Sequence, residues 1–251
     1  MRVRARAVLQ YDGTSYRGWQ RQADAHTVQA ACEEALERIV GKTAVVAAGR
    51  TDTGVHAHGQ VVHFDHDGRM SARDLRRAWN AHLPDAIWVA RLQRARPDFH
   101  ARHDAVARTY RYQLALGGMA ASPFVRRYAW PVSRPLDWDA MNAATEALVG
   151  EHDFRRFAKG SGEHPVRTDR EPGRCEVRAA RWLRSRDGRA LEITANRFLR
   201  HMVRALVGSI VAVGLGRIDA DEVGAALAPG GIRPRATYAP PRGLFLWEVE
   251  Y

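Results

Sequence analysis

The strongest constraint on this chain is a repeated change of hydrophobic period. Val3, Ala5, Ala7 and Leu9 alternate with Arg2, Arg4 and Arg6, which predicts a half-buried strand. Thr27 is placed to N-cap a helix whose apolar positions are Val28, Ala31, Cys32, Ala35, Leu36 and Ile39, ended by Gly41. TAVVAAG (43–49) and GQVVHFD (59–65) read as strands. Ser71 and Asp74, in box-like spacing, open a second helix that turns Leu75, Ala78, Trp79 and Leu83 inward. AIWVARL (86–92) is a further strand, so the order is βαββαβ.

The rest of the chain repeats that order without sequence identity between the halves. ARTYRYQLAL (107–116) alternates as a strand, and DWDAMNAATEALVG (137–150) reads as a helix. GRCEVRAARWLR and RALEITA form a hairpin about Asp187-Gly188. In NRFLRHMVRALVGSIVAVGLG, Phe198, Met202, Leu206 and Ile210 recur about once per turn. A short helix near residues 219–227 precedes the closing strand LFLWEVEY. The expectation is an α+β fold of two ferredoxin-like halves, with mainly antiparallel sheets forming one extended sheet. The halves are residues 1–104 and 105–251. The stretch between Gly150 and Gly173, with EHDFRRF and HPVRTDR, reads as an irregular basic surface arm.

Charge narrows the partner. Thirty-nine Lys and Arg against 28 Asp and Glu leave +11, and only Lys42 and Lys159 are lysines. A GC-rich genome explains the preference for arginine, but not the excess over acids. That excess points to a polyanion, nucleic acid first. Cys32 and Cys175 form no CxxC pair, which suggests neither a zinc site nor a disulfide framework. MRVRARAVLQ lacks the apolar core of a signal peptide, and the longest apolar run, residues 205–216, is short of the about 20 residues a spanning helix needs. The expectation is a soluble, cytoplasmic protein.

Four segments carry candidate chemistry. AAGRTDTGVHAHGQ (47–60) gathers Arg50, Asp52, two threonines and two histidines at the rim of an apolar hairpin. An Arg50–Asp52 ion pair, formed if the loop turns back, would keep Asp52 ionised as a nucleophile or base requires. The plainer alternative is an Asx-turn beside a solvated arginine. His56, His58, His63, Asp65 and His66 invite a metal, but His63 has the wrong strand parity and no ligand motif such as HExxH appears, so none is assigned. In RTYRY, Tyr110 and Tyr112 share a strand face with Arg108, either as a core pair or as a base-stacking platform. Arg197, Arg200 and Arg204 recur at helical spacing, as do His201 and Arg204, giving either a solvated face or a phosphate grip. Arg204 lies in apolar surroundings and needs a partner if buried. The opening loop interleaves Tyr11, Tyr16 and Trp19 with Arg17 and Arg21, as RNA-contacting surfaces often do.

Together these residues resemble the bacterial tRNA pseudouridine synthase A family, nearly end to end. QYDGTSYRGWQRQ, TVQAACEEALERI, AGRTDTGVHAHGQVVHF, DFHAR with RTYRY, NRFLRHMVRALVG and APPRGLFLWEVEY follow in the family's order. The Asp loop and the MVR segment are the most specific. The resemblance implies the pseudouridine synthase fold and isomerisation of uridines at positions 38–40 of the tRNA anticodon stem-loop. It further implies a homodimer with neither metal nor organic cofactor. It places the catalytic aspartate on Asp52, its supporting arginine on Arg50, the active-site tyrosine on Tyr110, its basic partner on Arg204 and an apolar wall on Leu244. Two departures stand out: Thr53 replaces the usual alanine after the aspartate, and Ala205 the usual asparagine after MVR. Two other readings need only part of this pattern: a non-enzymatic RNA-binding protein, and a metal-dependent nuclease using the histidines near His56.

Overall fold

A computed structural model describes residues 2–159, 173–228 and 230–251. The chain forms two compact units, Met1–Val106 with Phe245–Tyr251, and Ala107–Leu244. Its described residues form ten strands and six α-helices, an α+β protein with mixed strand pairing.

The first unit follows the expected order: β1 (Val3–Tyr11), α1 (Val28–Val40), β2 (Val46–Ala47), β3 (His56–His66), α2 (Ala72–His82) and β4 (Ile87–Arg94). β1 lies between β4 and β3, antiparallel to both. The caps are those the sequence supplies. Thr27 Oγ1 accepts from Ala30 N (3.3 Å), and Gly41 ends α1 at φ 79°, a positive value that favours glycine. Ser71 Oγ accepts from Asp74 N (3.2 Å) and donates to its carboxylate (2.7 Å). Trp79 of α2 is buried, donates to the Cys32 carbonyl of α1 (3.2 Å) and meets Phe64 edge-on.

Two expectations change here. β2 spans two residues, because the backbone of Val45 is bonded to α1 side chains: Val45 N donates to Glu33 Oε1 (3.0 Å) and Gln29 Nε2 to Val45 O (3.1 Å). The closing strand, expected in the second half, belongs from Phe245 onward to the first unit, where it pairs with β3. Its residues Phe245 and Leu246 lie parallel to His56 and Ala57. β3, at 11 residues, is long enough to take β2 near one end and the closing strand at the other, and nine of its residues are buried.

The second unit contains β5 (Ala107–Leu116), α3 (Pro123–Arg126), β6 (Trp130–Val132), α4 (Trp138–Glu146), β7 (Gly150–Asp153), β8 (Arg174–Ser185), β9 (Gly188–Ala195), α5 (Met202–Gly214) and α6 (Ala220–Ala225); β10 (Leu244–Glu250) begins at its last residue. Strands run β5-β9-β8-β7, all antiparallel, with β6 parallel to β5. Residues 150–153 of the expected arm are thus a strand, while HPVRTDR lies outside the described residues. α5 is buried at every position but Arg204. At Gly208 a β-carbon would stand 1.9 Å from the Thr237 carbonyl oxygen, so glycine admits the returning backbone there. Among the described residues no helix is long and apolar enough to cross a membrane.

Candidate active site

In the first unit, the loop between β2 and β3 is fixed by its neighbours on two sides. From below, Gln60 Nε2 donates to the Gly49 carbonyl (2.7 Å), Ala48 N to Val61 O (2.8 Å), and the Thr51 hydroxyl lies 2.8 Å from Tyr11 OH. From the side, residues 12–19 form a strap. Trp19 N donates to Thr51 O (3.0 Å), Gly54 N to Tyr16 O (3.3 Å) and Gly13 N to His56 Nδ1 (3.0 Å). The loop closes on itself through Val55 N to Asp52 O (3.1 Å). Two glycines make this contact possible. Gly18 has φ 86°, and a β-carbon on it would stand 2.7 Å from Thr51 O. A β-carbon on Gly13 would stand 2.0 Å from Val55 O. Asp52 is therefore carried, partly exposed, on a backbone bonded to the strap at Thr51 and at Gly54, on either side of it.

The expected Arg50–Asp52 ion pair does not form. Arg50 is exposed and makes no ion pair or hydrogen bond with a described residue. The loop does not turn back there, because Thr51 is held by its hydroxyl and its carbonyl together. In the neighbouring strap, Asp12 forms an Asx turn, its Oδ1 accepting from Thr14 N (2.9 Å).

The aromatics of the opening loop are not an RNA-facing surface. Tyr11, Tyr16 and Trp19 are buried, and Trp19, at 2% exposure, packs under the strap beside Tyr11. The sequence pattern sets Trp19 against substrate; its indole is instead part of the core that holds the loop. Arg17 is exposed, and Arg21 is paired with Glu33 (2.9 Å) and Glu34 (3.5 Å) of α1.

The histidines have structural partners. His56 Nδ1 accepts from Gly13 and lies 3.1 Å from Asp12 Oδ1, with its ring stacked on Phe245. His58, two residues on and exposed, stacks on Trp247 at 4.3 Å. His63 Nδ1 accepts from Ala101 N (3.1 Å), and burial pushes its pKa down to about 4. His66 Nδ1 accepts from Gly68 N (3.2 Å). Among the described residues no group of three or more histidine, cysteine or acidic side chains is arranged to hold a metal ion.

In the second unit, the two tyrosines of β5 differ in burial. Tyr112 is fully buried, donates to the Pro240 carbonyl (2.7 Å), and has its pKa raised by burial. Tyr110, on the same strand face, is partly exposed and meets Phe198 edge-on at 5.0 Å. Arg204 is partly buried on α5, where Nε donates to the Ala239 carbonyl (2.8 Å) and the guanidinium lies 5.9 Å from the Tyr238 ring centre. A backbone carbonyl thus answers the need for a partner. Leu244 is buried at the start of β10.

The expected basic helix face is not a helix face. α5 begins at Met202, and His201 before it has φ 62°, a left-handed conformation that interrupts helical geometry. Arg197, Arg200 and His201 lie in the turn leading into α5, with Arg200 exposed and His201 edge-on to Tyr238.

Residue spacing alone does not single out Gly13, Gly18, Thr51 or Gln60, although all four fix the Asp52 loop. The available signal is a pair of glycines in each of two polar segments, which marks close backbone approach.

A family model described as tRNA pseudouridine synthase matches residues 7–104 and 144–251. The chain is 40% identical over 247 residues to tRNA pseudouridine synthase A of Pseudothermotoga lettingae, covering 98% of both chains. It is 41% identical over 256 residues to the protein of the same name from Methylobacterium nodulans, covering 99% of this chain and 96% of the relative. It is 39% identical over 250 residues to that of Thermotoga petrophila, covering 98% of both. By the extent of these matches, the chain belongs to the tRNA pseudouridine synthases, a family of isomerases.

Proposed function

We propose that this protein converts uridine to pseudouridine at positions 38–40 of the tRNA anticodon stem-loop, with Asp52 as the catalytic carboxylate and no cofactor. The observation that carries this reading is the clamped loop. In a member of this family, the backbone on both sides of one partly exposed aspartate is bonded to a strap and to the sheet beneath. That rigidity suits a group that must meet a reacting atom in one geometry.

The reaction breaks N1–C1′, turns the detached uracil and rejoins it through C5, so it is redox-neutral and consumes no water. The target nucleotide must leave the helical stack to be reached. Asp52 then attacks C1′, adds at C6, or removes a sugar proton to give a glycal; all three begin from the carboxylate. Tyr110 offers its ring to the base and its hydroxyl as an acceptor route for the C5 proton, with Arg204 as its basic partner. Leu244 supplies the apolar wall. Arg50, exposed two residues before Asp52, serves the RNA or, once substrate is bound, the ionised state of the aspartate. Arg17, Arg21, Arg197, Arg200 and His201 grip phosphate, Arg21 by exchanging its glutamates for the RNA. The working form is a homodimer acting on cytoplasmic tRNA.

The test is tritium release from a tRNA transcript labelled at C5 of uridine, in EDTA, with wild type and Asp52→Asn. Release by wild type alone, with tRNA affinity equal in both, is the expected result. Release by both removes Asp52 from the chemistry. Binding without release by either supports an RNA-binding module instead, and chelator-sensitive strand cleavage a nuclease.

A further inference from the structure

Under the Asp52 loop lies a buried chain of hydrogen bonds that none of the roles above uses. Tyr11 OH and Thr51 Oγ1 are 2.8 Å apart, and Gln60 Nε2 lies 2.7 Å from Gly49 O and 3.5 Å from Tyr11 OH. The three side chains are 4%, 6% and 0% exposed. One phenol therefore sits between the two groups that hold the loop at Gly49 and at Thr51, the residue before Asp52.

The strand pairing aims that phenol. Leu9 of β1 pairs with Gln60 of β3, and uniform pairing would set Tyr11 opposite His58. The register shifts between Leu9 and Tyr11, so Tyr11 lies opposite Ala57. Such a bulge re-aims a side chain. A phenylalanine would fill the same apolar volume, so packing does not explain the hydroxyl. Buried polar groups that bond one another favour a single geometry, and here, with Gln60 Oε1 the one polar atom of the three side chains left without a partner among the described residues, that geometry is the path of the backbone into Asp52.

We propose that Tyr11, acting through Thr51 and with Gln60, is a positioning residue for the isomerisation. It fixes the backbone at Asp52, and so the direction of the carboxylate, without touching substrate. The inference rests on Asp52 being catalytic.

Tyr11→Phe deletes one oxygen and keeps the ring. Expected is a roughly 10- to 100-fold fall in kcat for tritium release, with KM and tRNA affinity within about twofold of wild type. Thr51→Val, which removes the partner hydroxyl, should match it. The double variant should be no slower than the slower single, because both substitutions remove one shared hydrogen bond. Thr145→Val supplies the calibration. It removes a buried hydroxyl bonded to Met141 O (2.7 Å) and Trp182 Nε1 (3.0 Å) on α4, and should lower thermal stability while leaving kcat unchanged. The proposal is overturned if Tyr11→Phe and Thr51→Val keep wild-type kcat, if Thr145→Val slows turnover as much at equal loss of stability, or if the double variant multiplies the single effects. An active Asp52→Asn would sink the catalytic reading itself. An inactive Asp52→Asn beside a fully active Tyr11→Phe would sink only the positioning role.

Discussion

Replacing Gly13 by alanine isolates the contact between the strap and the Asp52 loop. Gly13 does not have a positive φ, so alanine can adopt its backbone conformation, and only space is at issue. The new methyl would stand 2.0 Å from Val55 O and 2.7 Å from Val55 C. Carbon–oxygen contacts begin near about 3.3 Å, so the two backbones must part by about 1.3 Å. The obstructing atoms are main chain and cannot swing aside as a side chain would. Parting strains the Gly13–His56 bond directly and draws on the Trp19–Thr51 and Gly54–Tyr16 bonds. Overpacking costs about 1–3 kcal/mol, and a buried N–H left without its partner about 1–3 more. A loss of about 3 kcal/mol lowers Tm by roughly 6–12 °C in a chain of this size. Gly49→Ala, in the Asp52 loop itself, is the matched contrast. No atom lies within 4 Å of the place its methyl would take and its φ is not positive, so neutral or slightly raised stability is expected. Thermal melts of both variants, with tritium release measured well below either Tm, decide the matter. Gly13→Ala melting with wild type and turning over normally, or Gly49→Ala failing as badly, would refute the steric reasoning.

Two further outcomes are expected. The pKa of His63 is lowered in the folded protein, so the unfolded chain binds its proton first as pH falls. Stability is full above about pH 6.5 and declines toward pH 4, by up to about 3 kcal/mol from this group. His100, whose ring lies 4.8 Å from that of His63, is lowered mainly by burial and adds in the same direction. Urea midpoints between pH 7.5 and 4.5 should show a shallower decline for His63→Asn, whose Oδ1 can replace Nδ1 as acceptor; an unchanged slope would clear His63 of the effect. Trp19→Ala should cost about 3–5 kcal/mol of stability, as expected for a buried indole, while tRNA affinity per folded molecule holds near wild type. A stable variant with weak tRNA binding would return Trp19 to the RNA surface.

The elements of the first unit were legible because they are written in local pattern. A strand's alternation, Thr27 and Ser71 as caps, and Gly41 as a stop act between residues a few positions apart, and the structure repeats them. The Asp52 loop was legible for another reason: polar residues and glycines are concentrated where a hairpin of this kind needs few of either. What the same pattern left open was which side of the surface each candidate occupies. Tyr110 and Tyr112 have the same parity and residue type, yet one is core and the other is partly exposed. Trp19 sits between arginines in the chain but beneath a strap in space. Arg197, Arg200 and Arg204 keep helical spacing, and one left-handed residue, His201, separates the first two from the helix.

The sequence by itself determined the order of strands and helices, their caps, the basic charge and the family, because each depends on residue identities at short or fixed spacing. Only the tertiary structure decided that β10 from Phe245 onward belongs to the first unit, that Arg50 stands apart from Asp52, and that Tyr11, Thr51 and Gln60 meet beneath the loop. Those outcomes depend on contacts between segments far apart in the chain. Burial and register there follow from which backbones can approach, at Gly13 and Gly18 above all, and no local periodicity encodes that.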